Sequence, residues 1–369
     1  MKIAIATDAW DPQTNGVVTT LKATIAELSA RGHEVRVISP QGRLSIPAPS
    51  YPEIRLAVAP GWHIARQIRD FLPHAIHVPT EGPIGMATRR YCRRHGLPFT
   101  TSYHTRYPEY LHARWPIPMR LSYAWLRRFH GAAARTFVSS ESLRGQLRSR
   151  RFGTLHLWRR GVDLQRFRPL PGHPVPEELA GAPRPIMAYM GRVAVEKNLE
   201  TFLRLEVPGT KLIIGNGPLR AALMARYPRA MFAGYRYGDE LAALLSAADV
   251  FVFPSRTDTF GLAMIEAMAC GLPVAAFPVP GPVDVIERGV TGVLNEDLAA
   301  AISGALRLDR EVCAQRARSF TWQAATDEFL AGLEPIPAAA RSALSARGSD
   351  IMITRSAARE RAGGAGDAK

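Results

Sequence analysis

Twice along this chain a short apolar run gives way to a polar loop and then to a stretch with helical spacing. KIAIAT opens the first series as a buried strand. The loop DAWDPQTNG follows, and then Val17, Val18, Leu21, Ile25 and Leu28 recur at helical spacing before RGH stops the helix and EVRVISP starts a second strand. A strand–helix–strand unit of this kind builds parallel sheet, which must be covered on both faces. Further strands are expected at 75–80, 98–105 and 135–140. The segment RPLPGHPVPEELAGAPRP, residues 168–185, carries six prolines and reads as a linker. The rhythm then restarts with IMAYMGR, TKLIIGNGP, AMFAGY, DVFVFPS and LPVAAFPV. The spacing therefore predicts an α/β chain of two domains, residues 1–170 and 171–320, with a last helix within 321–335. Residues 336–369 are rich in Ala, Ser, Arg and Gly, and a flexible tail is expected there, with at most one surface helix.

The charge is lopsided. Residues 1–170 hold 26 of the 47 Lys and Arg but 10 of the 32 Asp and Glu, an excess of 16 against +15 for the whole chain. A field of that sign draws anionic partners, whether phosphorylated substrates, anionic lipid or nucleic acid. No nucleic-acid-reading motif is present, so nucleic acid is not expected as a partner. No apolar run reaches the ~18 residues of a membrane span, and Asp8 comes too early for a signal peptide. Cys92, Cys270 and Cys313 have neither metal spacing nor even number, which fits a reducing compartment. The cytoplasm is the expected location.

The chemistry concentrates in SRTDTFGLAMIEAMACGLPVAA, from Ser255 to Ala276. Asp258 follows a strand, the edge where open α/β sheets bind ligands. The amides around Thr259, Phe260, Gly261 and Leu262 start a helix and suit a phosphate. Glu266, within that helix, can accept hydrogen bonds from a ribose, and Asp258 from a second polyol. Read singly, Asp258 is as well a loop acid, and Glu266 a solvent-facing glutamate. GRVAVEKN puts Gly191, Arg192 and Lys197 at another strand exit, where two cations suit a diphosphate. IIGNGP offers Gly215 and Gly217 for close backbone approach, and Gly16 opens a helix of the first domain with a further amide cluster. His104 in TSYHTRYPEY ends a strand; it is either a structural histidine or a hydrogen-bond partner of the reacting sugar. The order of these parts matches ribose, diphosphate and sugar, and hence a nucleotide-sugar.

With these motifs the sequence resembles glycosyltransferase family 4, retaining enzymes of the GT-B fold. The resemblance runs from Met1 to about Leu333 and rests on Asp258-x7-Glu266 with AMACGLPV, Asn15-Gly16, RGVD at Arg160 to Asp163, GR…K at Gly191, Arg192 and Lys197, and GNGP at Gly215 to Pro218. The family's first acid is Glu, here Asp258, which bears on the donor sugar. SYHT at Ser102 to Thr105 resembles the sulfoquinovosyl- and digalactosyl-diacylglycerol synthase branch. The resemblance implies two Rossmann-like domains facing across a cleft, with the last helix crossing back to the first. It also implies hexosyl transfer with retention from a UDP- or GDP-sugar, no metal or other cofactor, and front-face substitution. Asp258, Arg192, Lys197 and His104 would then serve the reaction. Gly16, Gly191, Gly215, Gly217, Thr259 to Leu262 and Glu266 would hold the donor.

WPIPMRLSYAWLRRFH mixes aromatic, aliphatic and Arg residues. It is expected to hold an anionic membrane's inner face and present a lipid acceptor, diacylglycerol or a glycolipid. The alternatives are a buried helix with a basic outer face, and a soluble or polysaccharide-precursor acceptor.

Overall fold

A computed structural model describes residues 1–13, 15–48, 51–58, 61–115 and 117–345. The first half runs β1 (Lys2–Ala6), α1 (Gly16–Ala30), β2 (Glu34–Ile38), β3 (Ser45–Ala48), β4 (Tyr51–Ala57), α2 (Gly61–Phe71), β5 (Ala75–Val78), α3 (Pro83–His95), β6 (Thr100–Ser102), α4 (Tyr107–Arg114), α5 (Met119–His130), β7 (Arg135–Val138), α6 (Glu141–Ser149) and β8 (Leu155–Leu157). The second half runs β9 (Ile186–Met190), α7 (Leu199–Leu203), β10 (Thr210–Ile214), α8 (Arg220–Arg226), β11 (Met231–Gly234), α9 (Gly238–Ala247), β12 (Val250–Phe253), α10 (Leu262–Ala269), β13 (Val274–Ala276), α11 (Pro282–Val285), β14 (Gly292–Leu294), α12 (Leu298–Ala305), α13 (Arg310–Ala317) and α14 (Trp322–Gly332).

Local chemistry sets many of these boundaries. Asn15 caps α1 by accepting from the amides of Val17 and Val18. Pro83 sits in the first turn of α3, where its missing N–H costs nothing, and Gly96 closes that helix in the left-handed region at φ 63°.

Each half forms a six-stranded, all-parallel sheet, in the orders β2-β1-β5-β6-β7-β8 and β11-β10-β9-β12-β13-β14. The strand order reverses between β1 and β5 in one sheet and between β9 and β12 in the other. Ligands of open α/β sheets bind in the crevice at such reversals. Both sheets are covered on both faces, which is why β1, β5 and β12 read as apolar runs rather than alternating ones. Ile3 and Ile5 pack to one side with Leu21 and Leu28, and Ala4 and Ala6 to the other with Ile64, Ile68 and Ile84. In the proline-rich connection the one helical turn, Glu177–Leu179, drops Leu179 into the second core.

Three strand regions depart from the sequence expectation. β3 and β4 pair as an antiparallel hairpin beside the first sheet, and β8 and β14 extend the two sheets by three residues each.

The last helix crosses back. α14 lies on the first half, with Phe329 buried among Ile3, Ile5, Leu21, Phe137 and Trp158. Gln323 donates to Glu27 at 2.9 Å, and Arg31 pairs with Asp327. The chain thus passes between the halves twice, and the two passages touch: Val162 N–H donates to Phe320 at 3.0 Å, and a Cβ on Gly161 would lie 2.4 Å from the Trp322 nitrogen.

Residues 338–345 form a surface helix, the one the sequence allows, and 336–345 is docked on the first domain rather than free. Ile336 N–H donates to the His74 carbonyl at 2.7 Å, and Ile336 and Leu344 are buried with Ile64, Phe71 and Phe99. Two large apolar residues in an Ala-rich stretch suffice to dock it on the first core. Residues 346–369 lie outside the described residues.

Candidate active site

The two reversals face each other across a cleft of about 1020 Å³. The second half supplies the β9 exit with Gly191, Arg192 and Lys197, and the β12 exit with Asp258 to Leu262. The first supplies the β1 exit with Gly16, the β5 exit with Glu81, and His104 after β6. All the sequence-derived residues except Gly217 line this one space.

Lys197 and Asp258 form an ion pair in the cleft wall, with side chains 18% and 15% exposed. Burial works against the lysine's charge, but Asp258 beside it prevails, and the Lys197 pKa is raised. The other Asp258 oxygen, Oδ2, is buried without a hydrogen-bond partner among the described residues. It is the group most in need of a ligand hydroxyl.

Beyond Asp258 the chain enters α10 through Gly261, at φ 94°, a conformation that excludes a Cβ at little cost only for glycine. Gly261 has no side chain to cap the helix and Met264 N–H donates to its carbonyl at 2.9 Å, so the amides of the cleft-lining Leu262 and Ala263 are the first-turn donors left for an anion. One turn on, Glu266 lines the cleft, and burial lifts its carboxyl to about 7, only partly offset by Arg166. Phe260, by contrast, is turned into the second core.

Two glycine readings change. Gly215 and Gly217 are glycine because two loops of the same half meet there: a Cβ would lie 2.0 Å from the Gly191 carbonyl oxygen at one and 2.4 Å from that of Val193 at the other. Gly215 still lines the cleft. Gly16 likewise adds no free amide cluster, since Asn15 already holds the amides of Val17 and Val18 at 3.0 and 3.1 Å. Gly16 instead lets the halves approach; its Cβ would lie 3.3 Å from Leu262 Cδ1.

His104 bridges the halves. Its carbonyl accepts from Thr259 Oγ1 at 2.9 Å, and the Thr259 carbonyl accepts from Ser139 Oγ at 2.8 Å. Arg160 Nη2 donates to His104 Nδ1 at 3.1 Å, so the ring is neutral with its proton on Nε2. Burial, then Arg160, holds the His104 pKa well below the ordinary value, and its Nε2 is buried without a partner among the described residues. Arg160 itself is lowered to about 9 by burial. In the sequence Arg160 stands out only as part of RGVD, and Glu81 carries no signal of its own.

Among the described residues, no three His, Cys, Asp or Glu side chains gather as a metal site, and no helix is long and apolar enough to cross a membrane.

Comparison with known proteins decides the family. Residues 14–166 match Glycosyltransferase Family 4 and residues 184–308 match Glycosyl transferases group 1. The GDP-mannose-dependent alpha-mannosyltransferase of Mycobacterium tuberculosis is 32% identical over 316 residues, 80% of this chain and 83% of that protein. This chain belongs to glycosyltransferase family 4. Another relative of this glycosyltransferase, the sulfoquinovosyl transferase SQD2 of Arabidopsis thaliana, is 32% identical over 321 residues, 78% of this chain and 62% of SQD2. Among solved structures, sucrose-phosphate synthase from Thermosynechococcus elongatus superposes with a TM-score of 0.67 at 22% identity, covering 89% of this chain and 96% of that one. Anabaena Alr3699/HepE in complex with UDP gives 0.64 at 16% identity, covering 89% and 98%. The family 4 chain therefore has the GT-B fold.

Proposed function

We propose that this glycosyltransferase moves a hexosyl unit, with retention, from a nucleotide-diphosphate sugar to the polar head of a membrane lipid. One observation carries the donor half: the Lys197–Asp258 pair, the uncapped start of α10 and Glu266 open on one cleft. Glu266 holds the ribose. The α10 amides, Arg192 and Lys197 take the diphosphate and its growing charge as the glycosidic bond breaks. Asp258, through its unpaired Oδ2, and His104, through Nε2–H, hold the sugar hydroxyls. Asp258 is committed to Lys197, so it is not a nucleophile; the acceptor attacks from the side of the departing phosphate, which takes the proton. No metal is needed, since fixed cations and dipoles supply the charge. GDP-mannose is the first donor to try, because the M. tuberculosis relative and two others of 28–30% identity are named GDP-mannose-dependent alpha-mannosyltransferases.

The acceptor half rests on the outer face of the first domain. The expected amphipathic segment divides cleanly: Tyr123, Leu126 and Phe129 are buried, while Trp115, Ile117, Met119, Leu121 and Trp125 are exposed. Arg120 and Arg128 of the same segment are exposed too, as are Arg90, Arg93 and Arg94 of α3. Exposed apolar and basic side chains together suit the surface of an anionic bilayer at its inner, cytoplasmic face. The SQD2 relative is named for transfer of sulfoquinovose.

The test is a thermal-shift panel of GDP- and UDP-sugars, followed by product analysis with anionic vesicles and with soluble sugar acceptors. A donor that raises Tm and glycosylates a vesicle lipid is expected. Transfer to soluble acceptors alone would replace the lipid by a polysaccharide precursor.

A further inference from the structure

The reversal between β1 and β5 in the first sheet mirrors the one that holds the donor groups in the second, and the loop leaving β5 places Glu81 in it. Glu81 lines the cleft, yet its side chain is only 5% exposed. Among the described residues no Lys or Arg pairs with it. Its Oε1 lies 3.2 Å from His130 Nε2, and its Oε2 has no hydrogen-bond partner there. His130 is the one possible cation beside it, charged only when its ring is protonated, and a carboxylate buried this far needs hydrogen-bond partners.

Several side chains are committed to holding it. His130 Nδ1 lies 2.9 Å from Thr101 Oγ1, which lies 3.1 Å from Thr136 Oγ1. With Nε2–H facing the carboxylate, Nδ1 pairs with the Thr101 hydroxyl. Tyr103, Phe129 and Phe152 pack around the imidazole at 5.0–5.9 Å between ring centroids. Residues of α5, β6 and β7 thus fix one carboxylate oxygen and leave the other for the cleft. Asp8 is not an alternative receiver, because it caps α3, accepting from Ile84 at 2.8 Å, Gly85 at 3.2 Å and Thr80 Oγ1 at 2.9 Å.

We propose that Glu81, clamped by His130, accepts a hydrogen bond from an acceptor hydroxyl other than the attacking one, and so selects a polyol head. This rests on the glycosyl-transfer reading and narrows its acceptor. In the transfer, the bond from sugar C1 to the phosphate oxygen breaks and one from C1 to the acceptor oxygen forms. The attacking hydroxyl's proton passes to the leaving phosphate, so Glu81 takes no part in that proton transfer and its partner is a second hydroxyl. Diacylglycerol, with one hydroxyl, leaves Oε2 unpaired; a lipid already bearing a sugar pairs it. Glu81 is an acceptor-binding residue and His130 a positioning residue.

The experiment uses the full chain as wild type, E81Q, H130Q and H130A, with the nucleotide-sugar that stabilises wild type most. Acceptors are monoglucosyldiacylglycerol or diacylglycerol in phosphatidylglycerol vesicles, and methyl glucoside in solution. Wild type is expected to prefer monoglucosyldiacylglycerol. E81Q is expected to lower kcat/KM for it about 30-fold, the loss of one hydrogen bond to a charged group, with donor KM and the nucleotide-induced Tm shift unchanged. H130Q, which keeps an N–H facing Glu81, should lose less than H130A. Three outcomes overturn this inference alone: E81Q with wild-type acceptor kinetics, a preference for diacylglycerol, or no transfer to any polyol by a chain that binds donor. A wild type that binds no nucleotide-sugar overturns the transfer reading and this inference with it.

Discussion

Asp284, at the start of α11, accepts two hydrogen bonds from Ser142 of α6 across the cleft: from the amide at 2.9 Å and from the hydroxyl. The same carboxylate accepts from the Gly281 amide at 3.1 Å, so one acid both ties the halves and shapes its own loop. Together with Thr259–His104 and Ser139–Thr259, it forms a band of contacts beside the donor loop. S142A removes the hydroxyl bond without disturbing the Gly281 turn. It should raise donor KM about fivefold, on ~1 kcal/mol for one hydrogen bond, and enlarge the radius of gyration in small-angle scattering. Scattering identical to wild type, with and without nucleotide, would show that the Ser142–Asp284 contact does not hold the halves together.

K197A strands Asp258, which already has one buried oxygen without a partner. Removing one member of a largely buried pair typically costs about 3 kcal/mol. Denaturant unfolding should show that loss, and K197A/D258A should recover part of it, because the double variant buries no lone charge. Activity should fall at least ~100-fold in both, since a fixed charge on the leaving group is gone.

Glu266 carries a pH signature. Its folded-state carboxyl is raised to about 7 by burial, above the unfolded value of 4.5. The folded chain therefore holds a proton that the unfolded one has lost, and this contribution to stability is complete below about pH 4.5 and gone by the time pH rises past about 7. The expected fall in apo-protein stability is about 3 kcal/mol across that window. E266Q, measured by unfolding at pH 5 and pH 8, should flatten it. An unflattened profile would assign the titration elsewhere.

The Arg160–His104 contact sets a tautomer. Wild type should show the His104 proton on Nε2 by 15N NMR, and R160M should shift the ring toward a mixture of tautomers. Donor affinity should hold within about twofold, while kcat falls about 10-fold for one misdirected hydrogen bond. Equal kcat in R160M would make Arg160 a packing residue only.

L121E/W125E replaces two exposed apolar side chains on α5. Co-sedimentation with phosphatidylglycerol vesicles at low salt should drop about 10-fold or more, given the ~1.5–3 kcal/mol that each large apolar side chain contributes when buried. Tm should stay within a degree or two, because neither side chain is in the core. Undiminished vesicle binding would move the membrane face elsewhere.

Much of this was legible beforehand. β1, β5, β9 and β12 could be read because strands buried on both faces leave unbroken apolar runs. The donor groups could be read because they cluster at strand exits. What escaped depends on distance in space. Glu81 and His130 are 49 residues apart and meet only because β5, β6 and α5 are neighbours. Gly215 and Gly217 were legible as close-approach residues, but that the approach is to Gly191 and Val193 is a property of loop packing. Both faces of α5 carry large apolar side chains, so which of them are covered is decided by the packing beneath. Ile336 and Leu344 stand alone in an Ala-rich stretch, too sparse to signal a core contact.

Phe329, Ile336 and Leu344 complete the interior of a domain whose first strand begins at Lys2. On the ribosome, that domain stays unfinished until more than three hundred residues have been made. The intervening domain has all its strands before then, so it can mature while its elder neighbour waits, open-sided, for its final pieces. Nascent-chain truncations ending near Phe320 should therefore engage chaperones through the N-terminal half, although that half was synthesised first.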